Sequence, residues 1–222
     1  MTAKGECMDT TRASDRFHSA LAPNSMRLTQ ELLNTIAHTS KPPYQPDLLL
    51  DRETAEAWLT GLGSAWCNNN GRPTPDLTVS AAGLSRIRQL RASLRRALGV
   101  TDGERREPDE RSVSIAFEED TLSIYPSGKG AAWLESAIAL ERVAATATGD
   151  IRRLKLCQNH VCTVAFYDRS KNNSKVWDDL ARCGNPANVR AYRERQRLAQ
   201  VNGSALAAEA NYDIDASQLK VM

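Results

Sequence analysis

Three cysteines between positions 157 and 183 set the chemical question for this chain. Cys157 and Cys162 bracket the short run CQNHVC, and Cys183 opens Cys183-Gly184-Asn185-Pro186. Thiolates are good zinc ligands, and a structural zinc site takes four donors from thiolates, imidazoles or, less often, carboxylates. Asp178 lies five residues before Cys183, mirroring the separation of the first pair. So few apolar residues do not build an independent core, and a bound metal would supply what the core lacks. Three buried free thiols would give the same pattern, so spacing alone leaves both readings open.

The elements around the cysteines suit a small ribbon. Val164-Ala165-Phe166-Tyr167 reads as a strand, a polar turn follows, and Asn185-Pro186 precedes a helix over roughly 187–201. Proline is favourable at a helix start because its missing N–H would be unpaired there anyway. The segment is basic. Lys171, Lys175, Arg190, Arg193, Arg195 and Arg197 stand in it, whereas the whole chain has a net charge of only +2. Such a cluster attracts phosphate backbones.

Upstream, the 222 residues hold enough apolar side chains for one sizeable core. The spacing of Met26, Leu28, Leu32, Leu33 and Ile36 predicts a helix over 25–37. A second helix is expected from Asp51, as N-cap, to Gly61 or Gly63. A third is expected over 80–98, with Leu84, Ile87, Leu90 and Leu94 inward. Its arginines, Arg86, Arg88, Arg91, Arg95 and Arg96, read as a solvated face, with anion binding as the sharper alternative. Alternation over 112–116 and 121–125 predicts a β-hairpin. An alanine-rich helix over 131–148 follows, and Gly149-Asp150 marks a domain boundary. Residues 1–24 are polar and read as disordered.

Five cysteines at uneven spacing, with no export signal, indicate a reducing cytoplasm. No apolar run is long enough for a membrane helix. Ser127-Gly128-Lys129-Gly130 lacks the spacing of a phosphate-binding loop.

Residues 157–195 resemble the CGNR zinc finger of bacterial stress-induced transcriptional regulators. The similarity is carried by Cys157, Cys162, Phe166, Asp168, Ser170, Asn172, Trp177, Cys183, Gly184 and Asn185. The N-terminal part is similar to the ABATE domain that accompanies this finger, with Gln30-Glu31-Leu32-Leu33-Asn34-Thr35 standing for its early LDFxNT pattern. Two departures stand out. Asp178 occupies the position of the third family cysteine, and Pro186 replaces the name-giving arginine.

The resemblance implies an α+β chain. A mainly helical N-terminal sensor domain with a small antiparallel hairpin spans 25–150. A zinc-finger module of β-ribbon plus helix spans 151–203, and a tail spans 204–222. It also implies Zn2+ held by Cys157, Cys162, Cys183 and Asp178, with water or His160 as substitutes for the carboxylate. DNA would be met by Lys171, Lys175, Arg190, Arg193, Arg195 and Arg197. A small ligand would be met by Glu31, Asn34, His38 and Arg91. The function implied is transcriptional regulation through DNA binding, with a homodimer as one assembly. The alternative is a small-molecule-binding protein or metal-dependent enzyme that has reused the fold, suggested by Asp178 and Pro186.

Overall fold

The computed structural model describes residues 12–37, 44–99, 110–159 and 161–200. His38, His160 and the tail over 204–222 lie outside them. The chain divides into two compact units, Met1–Asp178 and Asp179–Met222. The division therefore falls within the finger segment and not at 150, because the finger's strands pack with the helices that precede them.

The first unit is built from α1 (Arg27–Leu33), α2 (Arg52–Asn69), α3 (Ala81–Gly99), β1 (Val113–Glu118), β2 (Thr121–Pro126), α4 (Gly130–Thr148), β3 (Leu154–Leu156) and β4 (Ala165–Tyr167). Each strand pair is an antiparallel ribbon. The helix starts follow from local chemistry. Asp51 Oδ1 accepts from the Thr54 N–H at 2.8 Å, and Ser80 Oγ accepts from the Gly83 N–H at 3.0 Å. The core joins Leu28, Leu32, Leu59, Ile87, Trp133, Leu134 and Leu154, all buried.

Helix α2 runs past both glycines expected to end it. The reason is packing. A Cβ on Gly63 would lie 2.4 Å from Leu77 Cδ1 and 3.2 Å from Trp133 Cζ3, so glycine is there to admit those side chains. Helix α1 is shorter than expected. Thr35 Oγ1 donates to the Leu32 carbonyl at 2.7 Å and closes its last turn.

Of the α3 arginines, Arg86, Arg88 and Arg96 are exposed, as a solvated face expects, whereas Arg91 and Arg95 are half-buried. Arg88 donates to the carbonyls of Leu49 and Leu50, and Arg95 to those of Leu33 and Thr163. Arg91 forms a two-pronged pair with Asp47, both contacts at 2.7 Å, and also donates to Thr35 Oγ1. These arginines tie loops to the helix.

The β1–β2 hairpin turns its apolar side outward. Ile115 pairs with Ile124 and Phe117 with Leu122, yet all four are at least half exposed, Phe117 by 80%. The smaller Ser114, Ala116 and Ser123 are half-buried on the other face.

Residues 12–24, expected to be disordered, are packed in place: Ala13, Ser14, Phe17 and Ala22 are buried. What holds them is a polar helix. Gln30, Glu31, Asn34 and Thr35 are all 0% exposed. Glu31 Oε2 accepts from the Ala13 N–H at 2.5 Å, and Gln30 Oε1 accepts from the Ala22 N–H at 2.6 Å. Asn34 takes both peptide groups of Ala165 in β4. Its Oδ1 accepts from the N–H at 2.8 Å and its Nδ2 donates to the carbonyl at 2.9 Å. The same Nδ2 donates to Ser14 Oγ at 2.9 Å. From α4, Glu141 accepts from the N–H groups of Leu28 and Thr29 and from the Thr29 hydroxyl, capping α1.

Asn34→Ala would leave the Ala165 N–H and C=O buried without that partner, at a cost of about 1–3 kcal/mol for each group left unsatisfied. Urea unfolding is expected to show a lower midpoint with an unchanged slope.

Burial pushes the Glu141 carboxyl from its ordinary 4.5 up to about 7, against the pull of the Leu28 and Thr29 donors. The folded state then holds this proton more tightly than the unfolded chain does. Its contribution is fully present below pH 4.5 and is lost as pH rises through about 7. The stability difference between wild type and Glu141→Gln should therefore shrink across that window, as measured by unfolding at a series of pH values.

Candidate metal centre

The first two cysteines are set by the β3–β4 ribbon. Cys157 follows β3 directly, and its N–H donates to the Val164 carbonyl at 3.0 Å, extending the ladder by one bond. The chain then turns. The Cys162 N–H donates to the Asn159 carbonyl at 2.7 Å, and buried Asn159 accepts from the Val161 N–H through Oδ1 at 3.4 Å. The Thr163 carbonyl beside Cys162 receives Arg95 Nη2 at 2.8 Å.

The polar turn after β4 is organised by Asp168, which is fully buried. It accepts from Lys155 Nζ at 2.7 Å and from the N–H groups of Ser170 and Lys175, each at 2.8 Å. Burial alone would push its carboxyl up. The donors outweigh burial and hold it well below the usual carboxylate range.

In the second unit, Cys183 lies in a wide helical turn over Leu180–Gly184. Asp179 starts it: its Oδ1 accepts from the Arg182 N–H at 2.8 Å, and its carbonyl accepts from the Cys183 N–H at 2.8 Å. The α-helix α5 continues over 185–200, with Pro186 in its first turn.

The Sγ atoms of Cys157, Cys162 and Cys183 all lie within 4.8 Å of one another. Tetrahedral zinc with bonds of ~2.3 Å to sulfur sets sulfurs about 3.8 Å apart, so small side-chain adjustments bring this group onto one ion. Cys157 and Cys183 are buried and Cys162 is half-buried, which suits a centre shielded on most sides. Zinc would bind the three as thiolates.

The remaining expected site residues fall elsewhere. Asp178 is not a member of the thiol group, and its Oδ1 accepts from Ser19 Oγ at 3.1 Å. Glu31, Asn34 and Arg91 direct their polar atoms to partners within the chain. Lys175 Nζ sits 5.1 Å from the centre of the Phe166 ring, and Lys171 is exposed. Arg190, Arg193, Arg195 and Arg197 are exposed along α5. Asn34 and Asp168 stand in the family-like patterns of the sequence, but nothing there points to Ala165 or Lys155 as their partners.

The purified chain is expected to carry one zinc per molecule by elemental analysis. Cys157→Ser and Cys183→Ser should each lose most of it, whereas Asp178→Asn should keep it. Loss of zinc from Asp178→Asn would make the carboxylate a ligand after all.

No curated protein matches the chain. Residues 153–196 match the family model of the CGNR zinc finger, taking in all three cysteines, the Asp168 turn and the first part of α5. The spatial grouping of the thiols agrees with this match: residues 153–196 are similar to the CGNR zinc finger, and their three thiols are placed to hold a metal ion.

Proposed function

We propose that this chain is a DNA-binding transcriptional regulator of bacterial type, in which the zinc finger contacts DNA and the N-terminal, ABATE-like domain senses a small ligand. The observation that carries this reading is the charge on α5. Arg190, Arg193, Arg195 and Arg197 stand exposed there, and none forms an ion pair among the described residues. Arg190, Arg193 and Arg197 are spaced to share one face of the helix. Guanidinium groups on an exposed helix suit phosphate contacts.

Pro186 takes one cation away from this reading. The arginine it replaces would supply one more cation, so phosphate contact here falls to α5, with Lys171 and Lys175 as further contributors. Cytoplasmic placement follows from the same reading. Among the described residues no helix is long and apolar enough to cross a membrane.

Fluorescence anisotropy with a mixed-sequence duplex, over about 50 to 200 mM salt, tests the role. Each phosphate contact contributes about 0.9 to the slope of log affinity against log salt. Wild type should bind with a steep slope, and the triple variant Arg190→Ala, Arg193→Ala, Arg197→Ala should lower that slope by about 2.7. Binding that ignores salt, or an unchanged slope in the triple variant, would count against DNA contact through α5.

A further inference from the structure

The first unit contains a cavity of about 680 Å³ bounded by α1, α2, β2 and α4. Its volume is in the range of small-molecule sites. Its apolar lining includes Leu28, Leu62, Trp66 and Leu140. Five charged side chains also line it: Arg12, Arg27, Arg72, Glu31 and Glu141.

The two signs of charge are not equivalent. Both carboxylates are committed to the fold, Glu31 to the backbone of Ala13 and Ser14 and Glu141 to that of Leu28 and Thr29. Arg27 donates through Nε to the Ala22 carbonyl at 3.0 Å and forms no ion pair among the described residues, although its charge favours the ionised form of Glu141. Arg72 lies with its guanidinium carbon 4.6 Å from the centre of the Tyr125 ring and forms no ion pair among the described residues. Both arginines are half-buried, where a guanidinium gains more from an anionic partner than it does in open water. The cavity thus offers an apolar body site edged by two arginines that form no ion pair among the described residues.

We infer that this cavity binds an amphipathic organic carboxylate, with its apolar body against Leu28, Leu62 and Leu140 and its carboxylate held by Arg27 and Arg72. The inference rests on the reading of the N-terminal domain as a ligand sensor and names the ligand class of that sensor. It moves the site away from Asn34 and Arg91, which serve the fold. Trp66 would lie beside the ligand body, and the Arg72–Tyr125 stack presets the guanidinium plane.

Isothermal titration calorimetry on the full, zinc-loaded chain tests this with naphthoate and its uncharged counterpart naphthamide. A charge-assisted contact predicts that naphthoate binds at least about tenfold more tightly. The double variant Arg27→Gln, Arg72→Gln should bring the two affinities together, while Phe117→Ser, on the exposed hairpin outside the cavity lining, should leave both unchanged. Ala144→Trp, at an exposed lining position, should fill the cavity and abolish naphthoate binding. Equal affinity for the two probes in wild type, or a preference that survives the double arginine change, overturns the carboxylate assignment and leaves the sensor reading standing. Naphthoate binding that survives Ala144→Trp places the ligand elsewhere and overturns the assignment to this cavity. Failure of both probes to bind overturns the carboxylate inference and counts against the sensor reading as well.

Discussion

The fold depends on a short helix that is buried on its polar side. Four buried polar side chains, Gln30, Glu31, Asn34 and Thr35, would be costly inside a core unless their atoms found partners. In α1 they do. Gln30 and Glu31 hold the chain ahead of the helix, Asn34 holds β4, and Glu141 closes the helix N-terminus from α4. Removing one partner strands another segment's backbone, so the polar cluster fixes which segments meet. The entropy of ordering residues 12–24 is offset by these bonds together with the burial of Ala13, Phe17 and Ala22.

That arrangement explains why the finger's ribbon belongs to the first unit. A ribbon of two three-residue strands has little surface to bury on its own. Asn34 takes the Ala165 peptide into the helical core, Arg95 takes the Thr163 carbonyl, and Asp168 closes the turn beyond. Two of the three thiols are thereby held by contacts that do not involve a metal.

Much of the chain could be read ahead of the structure because its signals are local. The cap at Asp51, the leucine stripe of α3, the alternation of β1 and β2 and the cysteine spacing each follow from a few neighbouring residues. What was not legible shares one cause, which is partners distant in sequence. Gly63 looks like a helix stop until Leu77 and Trp133 are packed against it. Glu31, Asn34 and Arg91 have the chemistry of ligand contacts, and only tertiary placement gives them Ala13, Ala165 and Asp47 instead. Asp178 has the right spacing for a ligand but meets Ser19, a residue in a segment read as disordered. The outward apolar face of the hairpin is invisible to alternation, which gives two faces and does not say which is inside.

Zinc held by three thiolates, completed by a donor that is not sulfur, is the central claim, and X-ray absorption at the zinc edge of the purified chain measures it directly. The spectrum should fit three sulfurs at ~2.3 Å and one lighter oxygen or nitrogen scatterer at ~2.0–2.2 Å. A shell of four sulfurs, a shell with none, or protein that retains no zinc would contradict it.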